Sequence, residues 1–282
     1  MITFPNAKIN LGLYVVQKRT DGYHDLETAF FPIPLHDVLE IKPLKHSNQP
    51  YEFQFAGSKV DGNPEENLIY KTYALLRDEF HLPPLSFYLY KKIPTGAGLG
   101  GGSSDAAYTM KMLNELFSLH LTEDEMEQRM APLGADCPFF IRNEPVFATG
   151  IGNKFSPLPI HLKGLYFVLI KPQEAVSTRQ AYQDVHPQPA PFHWQETLLQ
   201  PVNLWRGNLR NDFEKSVFLH HPHIAAIKQT LYDMGALYAS MSGSGSSVFG
   251  FFQTPFDKVE SIFTDCFCFQ QQLTDFKQTI CE

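Results

Sequence analysis

The chain has 282 residues, 43% hydrophobic and 13% aromatic, with a formal net charge of -7. At this length roughly three-quarters of the unfolded surface is buried in one large or two ordinary domains, so no disulfide framework is needed, and Cys137, Cys266, Cys268 and Cys281 show neither CxxC pairs nor regular spacing. The acidic balance excludes a broad nucleic-acid surface, which needs clustered Lys and Arg, so an anionic partner must be small and held locally.

The opening MITFPNAKINLGLYVV lacks a basic region followed by a continuous apolar one, and the longest apolar runs, such as Leu165 to Ile170, fall far short of a bilayer span. The expectation is a protein of the reducing cytoplasm with no membrane partner. From Phe4 to Lys18, Ile9, Leu11, Leu13 and Val15 alternate with Lys8, Asn10 and Gly12, which predicts a half-buried strand. Residues 36–43 and 51–56 predict further strands, Asn67 to Phe80 a helix, and Leu85 to Lys91 an aromatic strand.

That strand leads into Pro94 to Ala107, PTGAGLGGGSSDAA, with five glycines in seven positions. Beyond it, Ala106, Met110, Leu113 and Phe117 predict an amphipathic helix from about Ser103 to Phe117, with Ser103 or Ser104 as N-cap. Thr122 to Glu125 is a capping-box pattern opening a second helix through Met126, Met130 and Leu133, with Gly134 as its stop. Gly150 to Pro159, punctuated by Gly, Asn and Pro, is the expected connection between domains at 1–155 and 156–282. The later half closes with a helix (His223 to Met234), a strand (Ala236 to Met241), the loop SGSGSS, a strand (Val248 to Phe252), a helix (Phe256 to Phe267) and a last strand, as in a two-layer α+β domain.

A glycine loop ending at a helix N-terminus lets backbone N–H groups approach an anion, and the helix dipole adds to the attraction. Phosphate is the expected ligand; a hinge or packing turn is the alternative. The dinucleotide fingerprint is weak here, because the position about 20 residues on falls in helix and loop rather than at an acidic strand end. A Walker loop is ruled out, because Gly-Gly-Gly-Ser-Ser carries no lysine. Alone, Ser242 to Ser247 reads as a hairpin turn.

PTGAGLGGGSSDAA, together with PNAKINLGLYV and SMSGSGSSVFG, resembles the three motifs of the GHMP kinases. Asp21 to Leu26 (DGYHDL), Glu66-Asn67-Leu68, Gly134 to Phe140 (GADCPFF) and Asn211 to Glu214 (NDFE) look more closely like the branch that phosphorylates 4-diphosphocytidyl-2-C-methyl-D-erythritol. The matches run in order from Ala7 to Gly250. The resemblance implies an α+β, two-domain GHMP kinase fold, its N-terminal domain carrying a left-handed βαβ element and its C-terminal domain ferredoxin-like. It further implies ATP-dependent phosphorylation of the methylerythritol 2-hydroxyl, on the non-mevalonate route to isoprenoid precursors; the alternatives are another GHMP small-molecule kinase or a catalytically inert nucleotide-binding regulator.

Carried over residue by residue, the resemblance makes Asp136 the base that takes the acceptor proton and Lys8 its partner. Pro94, Gly96, Gly98, Leu99, Gly100, Gly101, Gly102, Ser103 and Ser104 surround the ATP phosphates, and Asn67 and Lys91 occupy positions linked with the adenosine. Mg2+ is expected with ATP; Ser104 is a candidate ligand, with a water-mediated ion the alternative. Asn10, Tyr23, His24, Tyr182, Ser242 and Gly243 fall on the acceptor side, Tyr23 stacking on the cytosine and His24 hydrogen-bonding it.

Without the resemblance, Asp136 reads as a turn residue, Lys8 and Asn10 as a solvated strand face, Lys91 as a strand-end lysine, and Tyr23-His24 as ordinary packing. Asn153 stands where many members carry Glu, and Cys137 where Val or Ile is common. Neither composition nor motifs separates a monomer from a homodimer.

Overall fold

The alternation and helical periodicity resolve, in a computed structural model, into three sheets flanked by helices; the structure describes residues 1–45, 49–60, 62–191 and 193–274, and the backbone of 280–281. The first half runs β1 (Ile2–Thr3), β2 (Asn6–Lys18), β3 (His24–His36), β4 (Val38–Pro43), β5 (Tyr51–Gly57), α1 (Leu68–Phe80), β6 (Leu85–Lys91), α2 (Gly101–Leu116), α3 (Glu123–Met130), α4 (Phe139–Arg142), β7 (Val146–Thr149) and β8 (Lys154–Pro157). The second half runs β9 (Tyr166–Lys171), α5 (Thr178–Ala181), α6 (Trp194–Leu198), α7 (Phe213–His220), α8 (Pro222–Asp233), β10 (Tyr238–Met241), β11 (Val248–Phe252), α9 (Val259–Ile262), β12 (Phe267–Gln272) and β13 (Ile280–Cys281).

The first half builds two sheets, one of them extended at its edge by β13 from the far end of the chain. One has the order β13-β1-β4-β6-β5, antiparallel except for the parallel pair β5–β6, which α1 joins as a βαβ crossover. The other has the order β2-β3-β7-β8 and is antiparallel throughout. The second half holds the antiparallel sheet β10-β11-β9-β12. Relative to chain order its strands lie second, third, first, fourth, the ferredoxin-like arrangement.

Strand β2 belongs to both halves. Ala7, Ile9 and Leu11 pack with Phe167, Leu169 and Phe249 of the second half and with Trp194 and Trp205. At Gly12, held at φ +70, the pairing with β3 shifts register. Beyond that bulge Leu13 and Val15 join a different cluster, with Val168, Val217 and Ile224, so the four residues expected on one face are split between two cores.

Several expectations are corrected. Strand β3 was not foreseen, because Pro32 and Pro34 argue against a strand interior; both lie beyond the stretch that β7 pairs, Thr28 to Phe30, where β2 is the remaining neighbour. Within the segment 150–159 the structure is more regular than a loop: Gly150 to Asn153 turns a hairpin and Lys154–Pro157 is its second strand. The helix expected over Phe256 to Phe267 is confined to Val259–Ile262, between the left-handed residues Lys258 and Asp265. The capping box is present, Thr122 and Glu125 exchanging side-chain and backbone bonds, but the helix ends at Met130.

Candidate active site

The glycine loop starts where β6 ends. Gly96, Gly98 and Gly100 all have positive φ, at 59°, 74° and 68°. At Gly98 the need for glycine is also steric, since a Cβ there would lie 2.0 Å from the backbone oxygen of Ser242. Gly100 caps α2, which therefore starts at Gly101, ahead of the expected serine cap. The helical ladder opens with Ser104 N–H donating to Gly100 O at 2.9 Å. The amides of Gly101, Gly102 and Ser103 precede that bond and form a donor cluster at the helix N-terminus. Ser104 is buried one residue further into the helix, its Oγ without a hydrogen-bond partner, and Ser103 is the serine that lines the cleft.

Across the loop lies the expected catalytic pair. Lys8 Nζ is 3.2 Å from Asp136 Oδ2, with the lysine side chain 5% and the aspartate 32% exposed. The same ammonium donates to Asn10 Oδ1 at 2.8 Å and sits 4.4 Å from the centre of the Phe30 ring. Asn10 Nδ2 donates to Thr28 Oγ1 at 3.0 Å, so β3 braces the lysine from beneath. Asp136 precedes α4 and stays open to the cleft while Lys8 is held rigidly under it. Beside it, burial pushes the Cys137 thiol up to about 11, so this departure from the family residue behaves as an apolar filler.

The second half closes the loop from the other side. The Ser242 hydroxyl donates to Gly98 O at 2.9 Å and accepts from Asn10 N–H at 3.3 Å, while Lys8 N–H donates to Leu99 O at 2.9 Å. Asn211, in NDFE, donates from Nδ2 to Met241 O at 2.9 Å and Gly243 O at 2.8 Å, and Asp212 accepts Val15 N–H at 2.9 Å. Gly243 takes its place in the cleft because a Cβ would crowd Gly98 O and Asn10 Oδ1 at 3.2 and 3.3 Å.

Lys91 lines the cleft from the end of β6. It is buried, and its Nζ lies 2.5 Å from Asp37 Oδ2 and 2.6 Å from Asp105 Oδ2. The other Asp37 oxygen accepts Lys92 N–H at 2.6 Å and Ile93 N–H at 2.8 Å. Burial raises the Asp105 carboxyl; Lys91 opposes the shift and Asp37 adds to it. Asn67 caps α1 by accepting Ile69 N–H at 2.9 Å, and it lines the cleft near Pro94.

On the acceptor side, the His24 and Tyr182 rings stack at 4.7 Å and 22°, and Phe213 meets Tyr182 edge-on. Burial, with Lys18 adding to it, lowers the His24 pKa. Neither Tyr23, which is 63% exposed, nor His24 lines the cleft itself, and of the two it is the histidine that stacks on Tyr182, which does. The cleft encloses about 710 Å³ between the loop, Asp136 and Tyr182. Thr28, Phe30 and Phe213 also line it, and none was foreseen: the first two went with the unrecognised β3, and Phe213 reads as a core aromatic.

The donor set also tests the expected Mg2+. Among the described residues there is no group of three or more His, Cys, Asp or Glu side chains able to hold a metal ion. That suits an ion carried on nucleotide phosphates, not one in a protein cage. Nor is any described helix long and apolar enough to cross a membrane.

Comparison with known proteins agrees with this geometry. The family described as GHMP kinases N terminal domain matches residues 67–144, and GHMP kinases C terminal matches 198–266. A 4-diphosphocytidyl-2-C-methyl-D-erythritol kinase of Bacteroides fragilis is 54% identical over 97% of this chain and 100% of its own length. One of Porphyromonas gingivalis is 46% identical over 96% and 98%. The crystal structure of a 4-(cytidine 5'-diphospho)-2C-methyl-D-erythritol kinase superposes with a TM-score of 0.75 at 32% identity, covering 89% of each chain. A phosphomevalonate kinase of Streptococcus pneumoniae, at a TM-score of 0.67 and 17% identity over 97% and 99%, shares the fold. With its glycine cradle, its Lys8–Asp136 pair and this likeness along nearly its whole length, the chain belongs to the GHMP kinases, in the 4-diphosphocytidyl-2-C-methyl-D-erythritol kinase family.

Proposed function

We propose that this chain transfers the γ-phosphoryl group of ATP to the 2-hydroxyl of 4-diphosphocytidyl-2-C-methyl-D-erythritol, giving the 2-phosphate and ADP, in the cytoplasm. The observation that carries the reading is the Lys8–Asp136 pair at 3.2 Å, facing the glycine loop across one cleft. Phosphoryl transfer is largely positioning and charge stabilisation, and the protein must supply little beyond a cradle and a base.

In this reading the amides of Gly101, Gly102 and Ser103 hold the phosphates. Asp136 takes the proton of the 2-hydroxyl as its oxygen bonds to the γ-phosphorus, and the bond to the β–γ bridging oxygen breaks to release ADP. The Lys8 ammonium, fixed by Asn10 and by Phe30, offsets the negative charge that develops on the attacking oxygen. Mg2+, when bound with ATP, supplies neutralisation of the phosphate oxygens. Tyr182 and His24 offer an aromatic face and a ring nitrogen to the cytosine, and Ser242 and Gly243 close the cleft.

Residues 1–155 carry the phosphate and proton-transfer groups, and 156–282 supply Tyr182, Ser242 and Gly243. Every group in these roles belongs to one chain, so a monomer or a homodimer can work. The test is incubation with ATP, Mg2+ and the cytidyl substrate. ADP and phosphorylated substrate are expected in equal amounts, and no turnover by folded protein would refute the reading.

A further inference from the structure

We propose that the buried amide pair Asn6–Asn143, closed by the Tyr108 hydroxyl, positions Lys8 and Asp136 against each other and so sets kcat. The inference rests on the reading of those two groups as the proton-transfer pair, but not on the identity of the acceptor. Asn6 opens β2 two residues before Lys8, and Asn143 caps the C-terminus of α4, the short helix that follows Asp136. Asn6 is 0% exposed and Asn143 and Tyr108 are each 2% exposed, and none of the three lines the cleft.

The polar atoms of the three side chains form a closed set. Asn6 Nδ2 donates to Asn143 Oδ1 at 3.2 Å, and Asn143 Nδ2 donates back to Asn6 Oδ1 at 2.7 Å. The second hydrogen of each amide goes to Ala7 O at 2.9 Å and to Tyr108 Oη at 3.2 Å, and the Tyr108 hydroxyl donates to Asn6 Oδ1 at 3.0 Å. Every side-chain donor is used, so rotating either amide orphans a buried group. Burial pushes the Tyr108 phenol above its ordinary value, which keeps its proton in place. Apolar side chains would fill the same space; a saturated polar set is what admits a single arrangement.

Both ends of the set are coupled stiffly to the site. Asn143 is held at φ 58, a left-handed conformation that asparagine tolerates, and its N–H donates to Phe139 O at 2.9 Å. Phe140 N–H donates to Cys137 O at 3.2 Å and Cys137 N–H to Gly134 O at 3.1 Å, so Asp136 is part of one hydrogen-bonded run from Gly134 to Asn143. From α2, Lys111 Nζ donates to Phe140 O at 3.0 Å and lies 3.8 Å from the centre of the Tyr108 ring, holding α4 against the helix that carries Tyr108. On the other side, Asn6 and Lys8 are about 7 Å apart along one strand. The amide pair therefore joins segments 137 positions apart in sequence that carry the two members of a 3.2 Å ion pair. When the amide pair is lost, Lys8 keeps Asn10 and Phe30 within its own sheet, and Asp136 is the member that moves.

The experiment joins steady-state kinetics with ATP, Mg2+ and the cytidyl substrate to crystallography of the same variants. Asn6→Ala is expected to lower kcat about tenfold with the KM values for ATP and acceptor within about threefold, since a displaced base weakens the transition state and not ground-state binding. In its crystal structure the Lys8–Asp136 separation is expected to open from 3.2 Å to beyond about 4 Å. Asn143→Gly suits the left-handed cap and leaves Asn6 its bonds to Ala7 O and Tyr108, so it orphans fewer groups. It is expected to act in the same direction, and it decides if Asn6→Ala fails to fold. Ile227→Val, in the core of the second half, is expected to lower Tm with kcat within about twofold, which separates positioning from loss of stability. A parent chain inactive on the cytidyl substrate would refute the acceptor assignment and leave the crystal structures to judge the pair. A folded variant that keeps the ion pair at 3.2 Å, keeps kcat within about twofold of the parent, or raises both KM values as far as it lowers kcat would overturn the proposal.

Discussion

Gly98→Ala adds one methyl group at the point where the two halves of the chain touch, and its effect can be worked from the geometry. The new Cβ would lie 2.0 Å from Ser242 O and 2.9 Å from its carbonyl carbon, both backbone atoms that no rotamer change can move. The segments must part by more than ~1 Å to reach ordinary contact. That separation breaks the bond from Ser242 Oγ to Gly98 O and pulls on the Lys8 N–H bond to Leu99 O. Holding alanine at φ +74 costs about 1–2 kcal/mol more. A displacement of about 1 Å between catalytic groups costs about a hundredfold, so kcat/KM is expected to fall at least that far, or about 2.7 kcal/mol. Gly164→Ala is the control, at φ +89 with nothing within 4 Å of its Cβ. It carries the strain without the clash, and should lower Tm while leaving kcat/KM within about twofold. ADP release in a coupled assay measures both variants. Folded Gly98→Ala within about fivefold of the parent would refute the argument that the inter-half contact shapes the phosphate loop.

Three further outcomes follow from the same geometry. Asp136→Asn is expected to lower kcat by about 10²–10⁴ while ATP affinity holds, because the amide cannot accept the proton but leaves the loop untouched; equal loss of ATP binding in calorimetry would contradict the base assignment. Burial and Lys18 lower the His24 pKa, so the folded protein favours the neutral ring. Any stability this contributes is present above pH 6.5 and lost as pH falls toward the folded value. The KM for the cytidyl substrate should accordingly rise on acidification below pH 6.5, and this limb should vanish in His24→Gln; an unchanged limb would clear His24. Asn211→Ala leaves the carbonyls of Met241 and Gly243 without its amide, so about 1–3 kcal/mol of stability should be lost together with kcat/KM, as read by denaturant titration and the coupled assay.

Where local pattern governs structure, the sequence was a good guide. Leu85–Lys91 and Val248–Phe252 are strands over the expected residues, because alternation in the first and a continuous apolar run in the second admit no competing period. Asn67 caps α1 through the side-chain bond its residue type suggests. The glycine cradle was legible because left-handed backbone and close approach both demand glycine. The start of α2 was not, since Gly100 caps it with no side-chain bond, and this swallowed the two serines.

The pairing of Lys8 with Asp136 spans most of the first half of the chain, and no spacing rule connects them; the family resemblance alone brought them together. For Lys91 the signal was present and unread, since a lysine in the inward phase of an alternating strand must find buried acids. Tyr23 precedes the first residue of β3 and His24 is that residue, and neighbours at a strand start point to opposite sides, so one adjacent pair could not both face Tyr182.

The shared membership of β2 bears on how the molecule comes into being. Ser242 meets Asn10 across 232 positions of sequence, and Leu13 bridges to Asn211, so the strand that carries Lys8 is locked only after the far end of the chain has arrived. Closing loops of that length is an entropic barrier faced late in folding, after local hairpins and helices have formed. During synthesis a ribosome-bound first half would hold its glycine cradle unbraced, and phosphate-binding competence would emerge as a single late event. The acquisition of ATP binding during refolding is thus a reporter of long-range assembly, separable in time from the growth of helical signal.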